Sequence, residues 1–201
     1  MKTNHKLEKI EKKTDNKYLN YYVLTYDNNG KEFNYFMASR RSEDNLVATN
    51  PNNKIADAVR VVPYFYKNGK IYVVLIKEFR YALNKYILST PAGVVDPGET
   101  ELTTARRELK EEIGARVKKI QRITRACYSS AGLSDESISC FEAEVELCEK
   151  QALGNSEDIE IICCEVNKLP ALFKTKEFGL QSRLHLELFY QKYKSNDLER
   201  E

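Results

Sequence analysis

A group of acidic residues near the middle of the sequence offers the clearest chemistry. Glu108 and Glu112 lie four residues apart, and Glu111 lies between them. On an α-helix these carboxylates share one side, where a like-charge pair costs about 0.3 kcal/mol in an isolated helix. Mg²⁺ and Mn²⁺ prefer carboxylate oxygens as ligands, and a bound cation would relieve that repulsion. The spacing therefore indicates a divalent-metal site.

The loop before this helix is rich in glycine and proline. Pro91, Gly93, Pro97 and Gly98 predict a compact turn whose backbone can approach a ligand closely. The run RRELKEE at residues 106–112 is also typical of an ordinary solvated helix face, and the helix charges by themselves favour that interpretation. The adjacent loop favours a ligand site instead.

The helix itself is predicted over residues 101–113. Thr100 is a suitable N-cap, and Gly114 is a suitable residue to follow the helix. Four apolar residues recur at helical spacing and are expected to face the core: Leu102, Ala105, Leu109 and Ile113. The acidic residues then lie along the edge of a buried face.

Strand patterns flank the helix on both sides. The runs YLNYYVLTY and EFNYFMASR surround residues 27–30, and ADAVRVVPYFY and KIYVVLIKEFRY surround residues 67–69. Both junctions contain Asn and Gly, so each predicts a β-hairpin. YILSTPAG predicts another short strand before the helix, and three β-like runs follow it.

The two ends of the chain have different character. Residues 1–17 are a charged lead-in that is expected to be either disordered or a short surface helix, with no role assigned, and residues 48–54 predict a loop or short linker. Residues 180–194 predict a closing amphipathic helix, with Leu180, Leu184 and Leu188 at helical spacing. The elements together predict an α/β (α+β) sandwich with a mixed sheet. We expect residues 1–54 to form the lead-in and a small antiparallel β-sheet, and residues 55–201 to form the main domain.

Composition excludes several classes of function. The 201 residues carry a net charge of only +2 and have no polybasic run, which argues against nucleic-acid and membrane partners. No apolar segment is long enough for a membrane span, and the start has no signal-like apolar run, so a cytoplasmic location is expected. Five cysteines without a CxxC pair argue against a zinc site and a disulfide framework. With two histidines only, acid–base chemistry must come from carboxylates.

One stretch resembles a known family. Gly93, five residues, Glu99, seven residues and RELKEEIG at residues 107–114 resemble the signature of the Nudix hydrolases, in which a loop and a helix carry the metal site. The single departure is Ala115, where the family usually has a larger aliphatic residue. The resemblance implies a Nudix-type α/β/α sandwich and cleavage of a nucleoside diphosphate linked to another moiety.

The resemblance also implies roles for individual residues. Glu108 and Glu112 match the principal metal ligands, and Glu111 matches a further ligand or a nearby catalytic carboxylate. The Ala92 carbonyl matches an additional ligand. The implied cation is Mg²⁺, with Mn²⁺ as the alternative.

Other catalytic positions follow from the same resemblance. Arg107 is expected to orient Glu99 through a charge-assisted contact. Related enzymes often take a general base from a loop beyond the motif helix, and the run GNSEDIEI is the matching region. Glu157 is the first choice for this base, with Asp158 and Glu160 as alternatives.

Flanking residues bear on the substrate. EFRY and LSTPAG resemble the segment before the motif in ADP-ribose pyrophosphatases and related nucleoside-diphosphate-sugar hydrolases. Within SAGLSDE, Gly132 and Glu136 match their substrate-side loop, although Ala131 stands where a proline is usual and an ordinary polar turn is equally compatible. Arg80 is a candidate contact for a phosphate or the terminal ribose, or a surface arginine at the end of a strand.

The expected reaction is metal-dependent hydrolysis of ADP-ribose to AMP and ribose 5-phosphate. Two alternatives are kept: hydrolysis of another nucleotide sugar or NADH, and a noncatalytic Nudix-like nucleotide sensor. The resemblance further implies a homodimer that pairs through the N-terminal sheet. Tyr22 and Phe33 of that sheet are candidates for stacking on adenine or for sheet packing.

Overall fold

A computed structural model describes residues 4–51, 55–155 and 157–194. Within them the chain forms two compact units. One contains the residues up to Asp57 together with Ala126–Ile138, and the other contains Ala58–Arg125 together with the residues from Ser139 onward. The predicted domain boundary between residues 54 and 55 stays a prediction, and residues 52–54 of the predicted loop lie outside the described part of the chain.

The first unit is built on a three-stranded antiparallel sheet. Its strands are β1 (His5–Lys12), β2 (Asn20–Asn28) and β3 (Lys31–Ser39), in that order. The turn between β2 and β3 places Asn29 at φ 56° and Gly30 at φ 81°, a conformation that these residue types tolerate, so the first predicted hairpin is confirmed. Its core consists of Tyr22, Leu24, Met37 and Leu46.

Strand β1 corrects the prediction for the start of the chain. The expectation that residues 1–17 are disordered or form a short surface helix is wrong for His5–Lys12, which is a β-strand. The pairing of β1 with β2 shifts register between Leu7 and Lys9. Because a bulge of this kind interrupts the two-residue alternation of a strand, the apolar residues do not recur at the expected spacing.

The second unit contains a seven-stranded mixed sheet. Its strands are β4 (Ala58–Lys67), β5 (Lys70–Arg80), β6 (Lys85–Ser89), β7 (Ala92–Val94), β8 (Ala115–Tyr128), β9 (Ser137–Leu147) and β10 (Ile159–Glu165). The order is β10-β5-β4-β9-β8, with β6 paired to β5 and β7 paired to β4. The turn between β4 and β5 places Asn68 at φ 51° and Gly69 at φ 75°, so the second predicted hairpin is also confirmed.

Helices cover both faces of this sheet, which makes the unit an α/β/α sandwich. They are α1 (Glu101–Ile113), α2 (Leu169–Thr175) and α3 (Leu180–Tyr193). One hydrophobic core lies between α1 and the sheet, and its residues include Val59, Val61, Val74, Ile76, Ala105, Leu109 and Ile113. A second hydrophobic core lies between the sheet and helices α2 and α3, and its residues include Val62, Val73, Leu75, Leu88, Leu169, Leu186 and Phe189. Helix α2 was not predicted.

The limits of helix α1 are confirmed. The Thr100 hydroxyl accepts a hydrogen bond from the Thr103 amide, and Gly114 adopts the left-handed conformation after the last turn. The prediction was wrong for Leu102, which is 42% exposed. Helical spacing indicates which side of a helix faces the core, but it does not indicate how far along the axis the covering sheet extends.

Helix α3 presents the opposite side from the one that its leucines suggest. Leu180, Leu184 and Leu188 are 72%, 56% and 65% exposed. The side chains that α3 buries include Ser182 and His185. The interpretation of the leucines as an inward-facing stripe is therefore wrong.

Two further observations concern the described residues as a whole. None of their helices combines the length and the apolar character needed to cross a membrane. The five cysteines, all within the described residues, form no disulfide bond with one another, and Cys164 is the buried one.

Candidate active site

A cavity of about 390 Å³ in the second unit brings together four of the predicted site residues: Arg80, Ala92, Glu112 and Glu157. It is lined by the end of β5, the start of β7, helix α1 and the loop before β10. The lining residues are Glu78, Phe79, Arg80, Tyr81, Ala82, Ala92, Glu112, Glu157, Asp158 and Ile159.

The glycine-containing turn lies directly against helix α1. A Cβ atom at Gly93 would lie 1.8 Å from Glu108 Oε1, a distance that no pair of non-bonded atoms can occupy. Next to it, the Ala92 amide donates a hydrogen bond of 3.2 Å to Glu112 Oε2. Glycine at position 93 thus allows the Glu108 carboxylate to lie against the backbone of β7.

Two of the helix carboxylates are buried. Glu108 is 7% exposed and Glu112 is 4% exposed. Burial, with repulsion from Glu108 and Glu78, raises the pKa of Glu112 to about 9. Burial likewise raises the pKa of Glu108, and Glu111 adds to it, although Arg107 opposes the shift. At both positions burial is the largest cause of the shift, because it disfavours the charged form of a carboxyl group.

Arg107 holds several carboxylates around the turn. Its Nε donates a hydrogen bond of 3.1 Å to Glu99 Oε1, and its Nη1 donates bonds of 2.6 Å to Glu108 and 3.0 Å to Glu111. Glu99 also accepts a hydrogen bond of 2.7 Å from the Thr104 hydroxyl. The contacts with Arg107 and Thr104 lower the pKa of Glu99. Arg107 therefore ties the loop carboxylate to the helix.

The loop before β10 carries Glu157 and Asp158, and the start of β10 carries Glu160, the third candidate for the general base. Glu157 lines the cavity, and its carboxylate accepts a hydrogen bond of 2.7 Å from the Gly154 amide. Asp158 also lines the cavity, but its carboxylate accepts a hydrogen bond from the Tyr86 hydroxyl. The Glu160 side chain is 64% exposed and forms an ion pair of 2.8 Å with Lys77.

Sequence reasoning missed Glu78 as a residue of the site. Glu78 is 9% exposed, lines the cavity and contributes to the raised pKa of Glu112. Its Oε1 accepts a hydrogen bond of 2.8 Å from Arg80 Nη2. The two side chains are two residues apart on β5, so strand alternation places them on one face. That alternation was the available signal.

Gly132 and Glu136 belong to the first unit, and their contacts lie within it. The Gly132 carbonyl accepts a hydrogen bond of 2.9 Å from the Tyr35 hydroxyl. Glu136 Oε2 accepts a bond of 2.8 Å from the Ser129 hydroxyl, and its Oε1 lies 3.4 Å from Arg40 Nε. A substrate contact for these two residues stays a prediction.

The chemistry of the donors fits a hard divalent cation. Carboxylate oxygens of Glu108, Glu111 and Glu112 and a backbone carbonyl at Ala92 form an all-oxygen set. Glu108 and Glu112 are both buried, and repulsion between them contributes to the raised pKa of Glu112. Among the described residues, no three His, Cys, Asp or Glu side chains converge on a common point. The fit therefore rests on donor type, burial and charge.

Comparisons with known proteins agree with this chemistry. The NUDIX domain family matches residues 54–181. The chain is 38% identical over 111 residues to the ADP-ribose pyrophosphatase of Bacillus subtilis (strain 168), which covers 54% of this chain and 58% of that protein. It is 35% identical over 129 residues to a nudix hydrolase of Caenorhabditis elegans, which covers 61% of this chain and 58% of that protein. In both cases this chain spans less than two thirds of the relative.

A solved structure with a similar fold covers nearly the whole chain. It is the crystal structure of an ADP compounds hydrolase, with a TM-score of 0.72 over 99% of this chain and 98% of that one. At 15% sequence identity, this likeness concerns the fold.

Proposed function

The chain belongs to the Nudix family, and we propose that it is a divalent-metal-dependent pyrophosphohydrolase whose substrate is ADP-ribose. Water adds to one phosphorus of the diphosphate, the bridging P–O bond breaks, and AMP and ribose 5-phosphate are released. The observation that carries the proposal is the burial of Glu108 and Glu112 against the turn at Ala92 and Gly93. The name of the Bacillus subtilis relative supports an ADP-containing substrate.

The residues that would hold the cation are Glu108, Glu111, Glu112 and the carbonyl of Ala92. A bound Mg²⁺ would supply positive charge to the diphosphate and lower the pKa of the attacking water. We propose Mg²⁺ as the cation, with Mn²⁺ as the alternative.

Two arginine side chains have further roles in the proposed reaction, one in positioning and one in substrate binding. Arg107 keeps Glu99 attached to helix α1 through the hydrogen bond of 3.1 Å, which fixes the loop beside the metal ligands. Arg80, whose side chain is 47% exposed at the cavity, can bind a phosphate or the terminal ribose while Glu78 holds its guanidinium.

Glu157 is the proposed general base. Its position in the cavity lining and its hydrogen bond to the Gly154 amide support this role. Asp158 and Glu160 are occupied by Tyr86 and Lys77, which makes them weaker candidates. Glu157 would accept a proton from the attacking water.

Turnover of ADP-ribose, with and without Mg²⁺ or Mn²⁺, tests the proposal. The products AMP and ribose 5-phosphate are quantified by chromatography, next to a panel of GDP- and UDP-sugars and NADH. We expect metal-dependent cleavage of ADP-ribose by the wild type. Glu112→Gln should lower kcat/KM at least about 100-fold, because removal of a ligand's charge weakens both metal binding and alignment.

The other outcomes separate the alternatives. Preferential cleavage of another panel member would keep the class of reaction and overturn the substrate. Tight binding of ADP-ribose by folded protein, without turnover in either metal, would instead favour a nucleotide sensor.

We also propose that the protein is a homodimer that pairs through the sheet of the first unit. Phe36 on β3 is 56% exposed, and its ring stacks on Tyr21, which is 42% exposed. Such neighbouring aromatic rings are typical of an interface. Light scattering coupled to size exclusion should give a dimer mass that Phe36→Lys reduces to that of a monomer. A monomeric wild type at micromolar concentration would contradict this.

A further inference from the structure

Arg60 is a buried arginine that the proposed chemistry does not use. It lies on β4 and is 7% exposed. Its Nη1 donates hydrogen bonds of 2.9 Å to the Ser89 hydroxyl, 2.8 Å to the Thr90 carbonyl and 2.6 Å to the Ser182 hydroxyl. Arginine is rarely buried without a charged partner, and none of these three acceptors is a carboxylate. Arg60 is therefore unusual, because it is a buried guanidinium whose three hydrogen-bond acceptors are all uncharged.

The acceptors form one compact network. Ser89, Thr90 and Ser182 are at most 1% exposed. The Ser182 hydroxyl also accepts a hydrogen bond of 3.1 Å from the Thr90 amide and lies 3.0 Å from the Ser89 hydroxyl. Because Ser182 belongs to α3, the network joins the end of β6 to the first turn of that helix.

Backbone contacts reinforce the same connection. The Leu88 amide donates a hydrogen bond of 2.8 Å to the Glu177 carbonyl, and the Gly179 amide donates one of 3.2 Å to the Leu88 carbonyl. The segment that leads into α3 thus runs along β6, and the chain around residues 88–90 is held by backbone and side-chain groups together.

This fixed segment continues directly into the candidate metal site. Arg60 is paired in register with Ala92, and the Val61 amide donates a hydrogen bond of 2.9 Å to the Pro91 carbonyl. The Ala92 amide in turn donates to Glu112. A path of direct contacts therefore leads from the Arg60 guanidinium to the residue whose carbonyl is a proposed metal ligand.

We propose that Arg60 is a positioning residue for the metal site, acting by fixing residues 89–92 so that the Ala92 backbone keeps its place against Glu112. The inference rests on the proposed function for the meaning of that site. The guanidinium of Arg60 donates its hydrogen bonds to Ser89, Thr90 and Ser182, so its effect on the Ala92 backbone is transmitted through the Thr90 carbonyl and the strand pairing.

A purely structural role is the rival explanation, in which the network only fastens β6 to α3. That role predicts a loss of stability with no change in the metal affinity of the folded protein. A positioning role predicts weaker metal binding in protein that is still folded. Metal affinity, measured without substrate, therefore separates the two.

The experiment measures Mn²⁺ binding by electron paramagnetic resonance, in protein whose folding is verified by circular dichroism and thermal melting. Arg60→Met keeps the length of the side chain and removes its charge and its donors. We expect the dissociation constant for Mn²⁺ to rise about 10- to 100-fold, the range typical when a residue that supports a metal ligand is lost. Arg183→Met is the matched control, because Arg183 bonds to Glu187 and to the Phe173 carbonyl, away from residues 89–92. It should leave Mn²⁺ affinity unchanged.

Two more variants test the same inference by Mn²⁺ binding if Arg60→Met does not fold. Ser182→Ala removes one acceptor and retains the arginine, and it should weaken Mn²⁺ binding by a smaller factor. Arg60→Lys retains the charge with a single donor group and should restore part of the affinity. Wild-type Mn²⁺ affinity in folded Arg60→Met, or in both of these variants if it does not fold, would overturn the inference.

The same titration distinguishes this inference from the proposed function. If the wild type binds Mn²⁺ but cleaves none of the diphosphates, the proposed function fails while the effect of Arg60 on binding is still measured. If the wild type cleaves ADP-ribose and Arg60→Met matches it in Mn²⁺ affinity, kcat and KM, the positioning role fails alone.

Discussion

Gly93→Ala is expected to disable the site while leaving the fold intact. The added Cβ would lie 1.8 Å from Glu108 Oε1 and 2.0 Å from its carboxyl carbon. Ordinary contact begins at 3.4 Å, so the carboxylate must move by about 1.6 Å. A displacement of about 1 Å in a catalytic group can lower a rate on the order of 100-fold. We therefore expect kcat/KM for ADP-ribose to fall at least about 100-fold, equivalent to about 2.7 kcal/mol.

The cause of this loss can be assigned with a double-mutant cycle on stability. Urea unfolding is measured, without added metal, for the wild type, Gly93→Ala, Glu108→Ala and the double variant. Overpacking of this kind costs about 1–3 kcal/mol, and removal of the Glu108 carboxylate should relieve most of it. A coupling free energy on the order of 1 kcal/mol or more is expected.

Gly69→Ala is a matched control, for which we expect lower stability and unchanged activity. Gly69 has φ 75° in the turn between β4 and β5, and its added Cβ would meet no atom within 4 Å. The strained backbone should lower stability by about 1–2 kcal/mol without changing kcat/KM. Full activity of Gly93→Ala, together with zero coupling to Glu108, would refute the steric reasoning.

Three further predictions concern single side chains. Glu157→Gln should lower kcat about 10²- to 10⁴-fold in steady-state assays, whereas Glu160→Gln should leave kcat nearly unchanged; the reverse order would assign the base to Glu160. Burial holds the pKa of His185 below 6.5, so the unfolded chain binds a proton that the folded chain does not, and stability is lost as the pH falls below 6.5. The melting temperature of the wild type should therefore fall towards that of His185→Gln between pH 7.5 and 5.5, and a constant difference would contradict this. Arg107→Lys should lower kcat about 10-fold and raise the pKa of Glu99 in an NMR titration, since lysine lacks the planar fork of arginine; an unchanged Glu99 pKa would argue against that contact.

Elements with strong local signals could be predicted from the sequence. Helix α1 begins after Thr100 and ends before Gly114, because the capping hydroxyl and the left-handed glycine act within a few residues of the helix ends. The hairpin turns at residues 29–30 and 68–69 follow the same logic, since Asn and Gly accept the positive φ that each turn needs.

The orientation of α3 could not be predicted in this way, because it depends on the surface beneath the helix. That surface includes the Arg60 guanidinium, which needs hydrogen-bond acceptors. Ser182 supplies one, so a polar residue of α3 faces inward while Leu184 on another side is exposed. Hydropathy alone favours the reverse arrangement.

The residues of the candidate site likewise differ in whether the sequence could predict them. The spacing of Glu108, Glu111 and Glu112 along one helix identified them as a group. Glu78 and Arg60 join the site or its support only because β4 and β5 are placed beside the motif by pairing between distant segments. Strand alternation groups Glu78 with Arg80, but no local pattern places these residues or Arg60 beside the motif helix.

The exposed leucines of α3 have a practical consequence for work with this protein. Leu180, Leu184 and Leu188 contribute apolar surface to solvent and little to the core, so charged replacements should cost little folding free energy. Lysine and glutamate also have helix propensities close to that of leucine. A variant with three charged residues at these positions offers a route to more concentrated solutions for crystallisation and NMR, with the candidate active site left untouched.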